Sequence, residues 1–130
     1  MKLTRPIVIA AVIVLALLGA ATAVVIAHAS SKNATLKVTE KEFHFTLSTN
    51  KPHAGQTEVL VTNVGNFIHA FAIAGPGVNQ KVIAIESGKS VALHVTLRPG
   101  RYLLWCPMPG HATKGLRASF TVPGAVDATA

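Results

Sequence analysis

The stretch Ser90-Val91-Ala92-Leu93-His94-Val95-Thr96-Leu97-Arg98-Pro99-Gly100 alternates apolar and polar side chains, then stops at a proline–glycine turn. Successive side chains of a strand point to opposite faces, so a period of two puts Val91, Leu93, Val95 and Leu97 on one buried face. His94 falls out of phase and faces solvent. The turn sends the chain back through Arg101 to Cys106, a second strand. An amphipathic helix would need its apolar residues three and four apart, which this stretch does not offer.

Working outward, the same period recurs. Glu42 to Leu47 places Phe43, Phe45 and Leu47 on one face, with His44 out of phase. Thr57 to Val64 contributes Val59 and Val61 before a turn at Asn63-Val64-Gly65-Asn66. Phe67 to Ile73, Lys81 to Ile85 and Leu116 to Val122 complete the set. Seven or eight short strands with frequent turn signals predict an all-β domain, a β-sandwich or barrel. The 130 residues hold one such domain over residues 35–122, with a polar linker at 30–34 and a small-residue tail at 123–130. There is no internal repeat.

Residues 1–29 have a different character. No charge occurs from Pro6 to Ala27 and only Thr22 is polar, while Lys2 and Arg5 stand in front and Lys32 follows. A basic flank before an apolar run reads as a signal peptide or a membrane anchor. A cleavable signal needs an apolar core of roughly 7–15 residues and a small-residue cleavage site. Ile7 to Ala20 fits, with Ala21-Thr22-Ala23 and Ala27-His28-Ala29 as sites. The whole run also reaches the length of about 20 apolar residues that spans a bilayer. Both readings leave Lys2 and Arg5 in the cytoplasm and send the domain outside, to the periplasm or the outer membrane face. It is then either secreted or held at a membrane through residues 6–27.

Without residues 1–29 the chain keeps ten basic and five acidic side chains, a net +5. Lysine and arginine never run together, and Tyr102 and Trp105 sit in a strand pattern instead of alternating with basic residues. Nucleic-acid binding wants clustered charge and stacking aromatics, so it is excluded. The basicity suits solvated surface and the attraction of an acidic partner. Cys106 has no second cysteine to pair with. Outside the cytoplasm that leaves an intermolecular cross-link, a free thiol or a metal ligand.

The neighbours of Cys106 decide. Cys106-Pro107-Met108-Pro109-Gly110-His111 puts a histidine five residues beyond the thiol, across two prolines. Prolines fix φ and lack an N–H, so this loop is stiff and its geometry preset. Soft thiolate with imidazole suits copper, and a trigonal site of two histidines and one cysteine is the blue-copper arrangement. His69, just after the Asn63 to Asn66 turn, is the second histidine. His28, His44, His53 and His94 have no partner at ligand spacing.

With Asn63-Val64-Gly65-Asn66-Phe67-Ile68-His69 and Cys106-Pro107-Met108-Pro109-Gly110-His111 in this order, the sequence resembles the cupredoxin family. That family of type 1 blue-copper proteins includes azurin, plastocyanin, rusticyanin and sulfocyanin. The resemblance covers roughly Thr35 to Val122 and implies a Greek-key β-sandwich of about eight strands. It also implies one copper ion held by His69, Cys106 and His111. Two departures matter. Leu116 stands where some relatives carry an axial methionine, and leucine has no lone pair to offer. Ala70 stands where an asparagine steadies the thiolate loop in other members, so that side-chain support is absent; Ala70 and Asn63 are the residues expected just behind the ligands. Met108 is expected as a wall of the site or a weak thioether contact.

The resemblance implies a carrier of single electrons between redox partner proteins, working as a monomer and docking through Pro107, Pro109 and Ala112 around His111. With Leu116 in the axial place, the reduction potential is expected to be high. Copper storage or delivery would use the same ligands but wants a more exchangeable, methionine- and histidine-rich site. An oxidase or nitrite reductase needs further copper ligands beside the cysteine, and Trp105 and Pro107 occupy those positions.

Overall fold

A computed structural model describes residues 33–124. The segment read as signal or anchor and the end of the tail lie outside the described residues. Eight strands follow one another: β1 (Ala34–Lys41), β2 (His44–Leu47), β3 (Gly55–Asn63), β4 (His69–Gly75), β5 (Val78–Ile85), β6 (Ser90–Leu97), β7 (Gly100–Trp105) and β8 (Arg117–Val122). They form two four-stranded sheets, ordered β2-β1-β3-β6 and β5-β4-β7-β8. All pairings are antiparallel except β1 with β3. This is the all-β, Greek-key sandwich that the resemblance implied.

Alternation explains the core. Leu36 and Val38 of β1, Val59 and Val61 of β3, and Val95 and Leu97 of β6 point inward from one sheet. Phe71 and Ile73 of β4, Tyr102 and Leu104 of β7, and Phe120 and Val122 of β8 meet them from the other. Inter-sheet burial of this kind is the main favourable term in folding. Tyr102 also fixes a corner. Its ring stacks on Phe120 with centroids 5.0 Å apart, and its hydroxyl accepts from the Arg98 amide at 2.8 Å. The same hydroxyl lies 2.9 Å from the Pro76 carbonyl, tying two inter-strand turns together.

Several strand boundaries differ from the sequence reading, β3 and β7 by one or two residues and four others in ways that bear on the site. Phe43 lies in the turn before β2, because the chain reverses at Glu42 and Phe43 to pair β1 with β2. Strand β4 begins at His69 instead of Phe67, leaving Phe67 and Ile68 exposed in the loop that crosses between sheets. Strand β5 starts earlier, at Val78, since a tight turn through Gly77 continues the ladder directly from β4. Strand β8 starts at Arg117, with Leu116 ending the loop before it.

One inward position breaks the pattern. Glu40 follows Leu36 and Val38 on the inner face of β1, is fully buried, and neither carboxylate oxygen has a hydrogen-bond partner. Burial disfavours the charged form, and its pKa is pushed up from 4.5 to about 7. A carboxyl whose folded pKa is raised is equally protonated in both states below pH 4.5, and there its full stability is present. As pH rises towards 7 the unfolded chain ionises first, and stability is lost. The loss is on the order of 3 kcal/mol. Urea unfolding at pH 5 and pH 8 should show wild type losing more stability over that interval than Glu40→Gln, by about that amount, with any contribution of the histidines common to both; equal pH slopes in both proteins would refute this account.

Candidate metal centre

The three sequence-predicted donors come from one end of the sandwich. His69 opens β4, Cys106 directly follows β7, and His111 sits on the loop between β7 and β8. Their ligand atoms all lie within 4.8 Å of one another. The two Nδ1 atoms of His69 and His111 are 3.2 Å apart, and Cys106 Sγ is 3.6 Å from His111 Nδ1. His69 and Cys106 are buried while His111 is half-buried, so one imidazole edge reaches the surface.

The loop from Cys106 to Leu116 is closed by its own backbone. The Cys106 amide donates to the Leu116 carbonyl at 3.0 Å, which extends the β7–β8 ladder by one bond. Within it, the His111 amide donates to Met108 O, Gly115 to Ala112 O and Leu116 to His111 O, each at 3.1 Å. Thr113 Oγ1 adds a bond to Gly110 O at 2.9 Å. These bonds and the two prolines leave His111 little freedom. Gly115 is needed here twice over. It has φ +125°, and a Cβ at that position would collide with the carbonyl oxygen of Phe43.

Ala70 supports the thiolate in a way the sequence reading did not foresee. The register of β4 against β5 shifts between His69 and Phe71. The extra residue lies in β5, where Ile85 to Val82 takes three steps against two from His69 to Phe71. Towards β7, Ala70 lies past the last β4–β7 pair, Ala72 with Trp105, and its amide donates to Cys106 Sγ at 3.4 Å, so backbone takes over from the side chain that is missing. Ala70, Cys106 and Leu116 form a small buried cluster of their own, with Phe43, Phe45 and Met108 packed against it. Leu116 is fully buried in that cluster, and Met108 closes it towards solvent.

Asn63 shapes the approach to His69. Its side-chain amide donates to the carbonyls of Phe67 and Ile85, both at 2.8 Å, and its carbonyl accepts from the Gly65 amide at 2.8 Å. A buried asparagine with all these bonds made pins the inter-sheet loop.

Two residues that sequence reasoning missed complete the surroundings. Glu42 Oε1 accepts from the amides of Asn66 and Phe67 at 2.7 and 3.0 Å, and lies 3.1 Å from His69 Nε2. The Phe67 bond is the largest cause of a carboxyl pKa lowered to about 2, with Glu42's own amide, Asn66 and His69 acting in the same direction. An ionised carboxylate only accepts, so His69 carries its hydrogen on Nε2 and turns the Nδ1 lone pair towards the other donors. Gly65 makes this possible, since any Cβ there would overlap the Glu42 carboxylate. Phe43 stands edge-on to both imidazoles, with centroids 6.5 Å from His69 and 5.3 Å from His111. Lys114 Nζ caps its other side, 4.9 Å from the ring centroid. Desolvation holds the His111 imidazole below the usual histidine range, and the charges of His69 and Lys114 add to this. The neutral ring that results is the form that binds metals.

Two imidazole nitrogens and one thiolate, preset by bonded backbone, fit a copper ion by donor chemistry. A family model, the sulfocyanin (SoxE) domain, matches residues 24–129. The chain belongs to the sulfocyanin family. No curated protein matches this family member in sequence. Among solved structures it is similar to dithionite-reduced auracyanin from Roseiflexus castenholzii. That match has a TM-score of 0.57 at 17% identity, covering 71% of this chain and 98% of the other. Auracyanin B gives 0.55 at 17% identity over 70% and 89%. Auracyanin A, a blue copper protein from Chloroflexus aurantiacus, gives 0.54 at 14% over 69% and 98%. At these identities the likeness is one of fold, and the fold is that of the cupredoxins.

Glu42 orients His69 from behind, and partners of this kind are typically worth 10–100-fold in metal affinity, as an order of magnitude. Competition with a chelator should therefore show copper affinity lower by about that factor in Glu42→Ala. Unchanged affinity would mean that the inter-sheet loop alone holds the ring.

Proposed function

We propose that the chain carries single electrons outside the cytoplasm, using one copper ion held by His69, Cys106 and His111. The observation that carries this reading is the convergence of two Nδ1 atoms and one Sγ within 4.8 Å, on backbone that is already bonded in place. Copper, when bound, supplies the one-electron Cu(I)/Cu(II) couple.

The protein's own contribution is constraint. His69 is fixed by Glu42 behind and Asn63 beside it, Cys106 by its ladder bond and the Ala70 amide, His111 by its short bonded loop. Donors that cannot move suit a centre that changes charge without rearranging. Leu116 packs with Cys106 and offers only carbon, so it would give the ion no fourth ligand to favour the oxidised form, and Met108 would serve as a wall. This supports a trigonal, high-potential site. Storage or delivery of copper is less well served by donors buried and pinned in this way. No histidine flanks Cys106 on either side, where Trp105 and Pro107 stand, which argues against a multicopper enzyme.

The half-buried His111 edge is the exchange point, ringed by Pro107, Pro109 and Ala112. Weak redox encounters use small interfaces, and this rim is of that kind. Its partners are redox proteins. The location outside the cytoplasm rests on the basic and apolar character of residues 1–29.

Addition of Cu(II) should produce an intense visible thiolate-to-copper band that vanishes in Cys106→Ala. A colourless wild type would rule out the type 1 site. Potentiometry on Leu116→Met should give a lower reduction potential than wild type; an equal or higher value would remove Leu116 from the account.

A further inference from the structure

The end of the sandwich opposite the copper donors has a charge pattern of its own. Strands β1, β3, β5 and β7 start at this pole, and β2, β4, β6 and β8 finish there. Its turns carry Lys51 and Arg98, and Arg101 flanks them one residue into β7; all three are exposed. The Arg98 guanidinium lies over the β4–β5 turn, next to Gly77. No carboxylate stands among these cations, and none of them has an acidic partner among the described residues. Of the acidic residues described, Glu40, Glu42 and Glu86 lie at the copper end, and Glu58 lies within β3 opposite His94. A notch of about 210 Å³ opens at the pole, lined in part by Thr35, Thr49, Lys51 and His53. Hydroxyl and ammonium groups there offer donors to a phosphate.

The apolar run joins the domain at this same pole. Asn33 leads directly into β1, and Lys32 before it adds a further cation in the sequence. From Ala27, where the apolar run stops, to Asn33 is six residues, at most about 21 Å of chain. A bilayer entered by that run therefore lies close to the pole, and an anionic surface attracts cations within a Debye length of about 8 Å. Each cation near such a surface strengthens the contact about fivefold, so three together give on the order of a hundredfold. The missing ingredient decides between lipid and protein as occupant. Protein interfaces place apolar contact inside a polar rim. The large exposed apolar side chains are Val64, Phe67, Ile68, Ile83 and Leu103, and none of them lies at this pole. Charge without an apolar centre suits a layer of headgroups.

We propose that, in a chain held at the membrane by residues 6–27, the pole bearing Lys51, Arg98 and Arg101 lies on anionic lipid headgroups and turns the His111 rim away from the bilayer. The proposal rests on the anchor reading of that segment. Strand β1 has eight residues, and at about 3.3 Å each they set the copper donors roughly 25 Å further from the lipid. Partners then reach His111 from the aqueous side, with the membrane fixing the orientation in which they meet it.

Energy transfer from tryptophan to a trace of dansyl-phosphatidylethanolamine, in vesicles holding the full copper-loaded chain, tests this. Trp105 is the only tryptophan and stands at the copper end, while Asn50→Trp/Trp105→Phe moves the donor to the exposed loop beside Lys51. Adding phosphatidylserine to phosphatidylcholine should raise transfer from the moved donor and lower it from Trp105, and salt should suppress both changes. In the moved-donor chain, Lys51→Gln/Arg98→Gln/Arg101→Gln should weaken the contact by on the order of a hundredfold, returning transfer to its value in pure phosphatidylcholine. Lys89→Glu, at the copper end, should keep the full response. Transfer that ignores phosphatidylserine, or a triple variant that keeps the whole response, would overturn the proposal. So would a stronger salt-sensitive response to poly-L-glutamate than to the anionic vesicles, which would make the pole a protein contact. Failure of the chain to float with phosphatidylcholine vesicles sinks the anchor and the proposal with it, whereas a floating chain without the response sinks the pole contact alone. The response should persist in Cys106→Ala, which separates it from the copper reading.

Discussion

The carboxylate of Glu42 ties three parts of the molecule together at one point. It lies just past the end of β1, accepts two amides from the loop that crosses between sheets, and meets the far nitrogen of His69. The loop, the first strand and the first ligand thus share one anchor. Backbone amides at this distance make charge-assisted bonds, about twice as strong as neutral ones. Their effect is to decide which nitrogen of His69 faces the other donors. A ring free to flip about its axis would present that edge only part of the time.

Around this anchor the site is assembled from backbone more than from side chains. Past the end of the β4–β7 ladder the Ala70 amide reaches sulfur, and the ladder bond between Cys106 and Leu116 closes the ligand loop. Side chains contribute shape: Leu116 and Met108 exclude solvent, and Phe43 presents its ring against both imidazoles. A mostly apolar surround with few, well-aimed donors controls the dielectric at the site and with it the potential.

The fold was legible because alternation is a strong signal and because Cys106 and His111 share a short loop. Val91 to Leu97 reads directly into β6, and Arg101 to Cys106 into β7 up to Trp105. Errors arose where the period of two continues through a turn. Phe43 keeps phase with Phe45 in the sequence yet belongs to the reversal before β2 and packs on the histidines. Phe67 and Ile68 look like strand residues because they are apolar, although in the structure they are exposed. Glu42 could not be found from spacing, since its partner His69 lies 27 residues away. Its only trace was Gly65, a residue whose missing Cβ makes room for a carboxylate that the sequence does not place nearby. Ala70 looked like a loss because its side chain was compared, while the bond in use comes from the amide.

The separation in sequence between the parts of the centre has a consequence for how the molecule comes into being. The bond from the Ala70 amide to Cys106 Sγ links residues 36 apart, and β1 must pair in parallel with β3 across the intervening β2. Contacts of this range carry a large loop-closure cost and form slowly. His69 opens β4 and Cys106 follows β7, so the register of these two strands, held by the core between the sheets, fixes how the two donors meet. The centre is thus assembled by the fold and not by a local stretch of chain, and its three donors stand together only where the sandwich has formed.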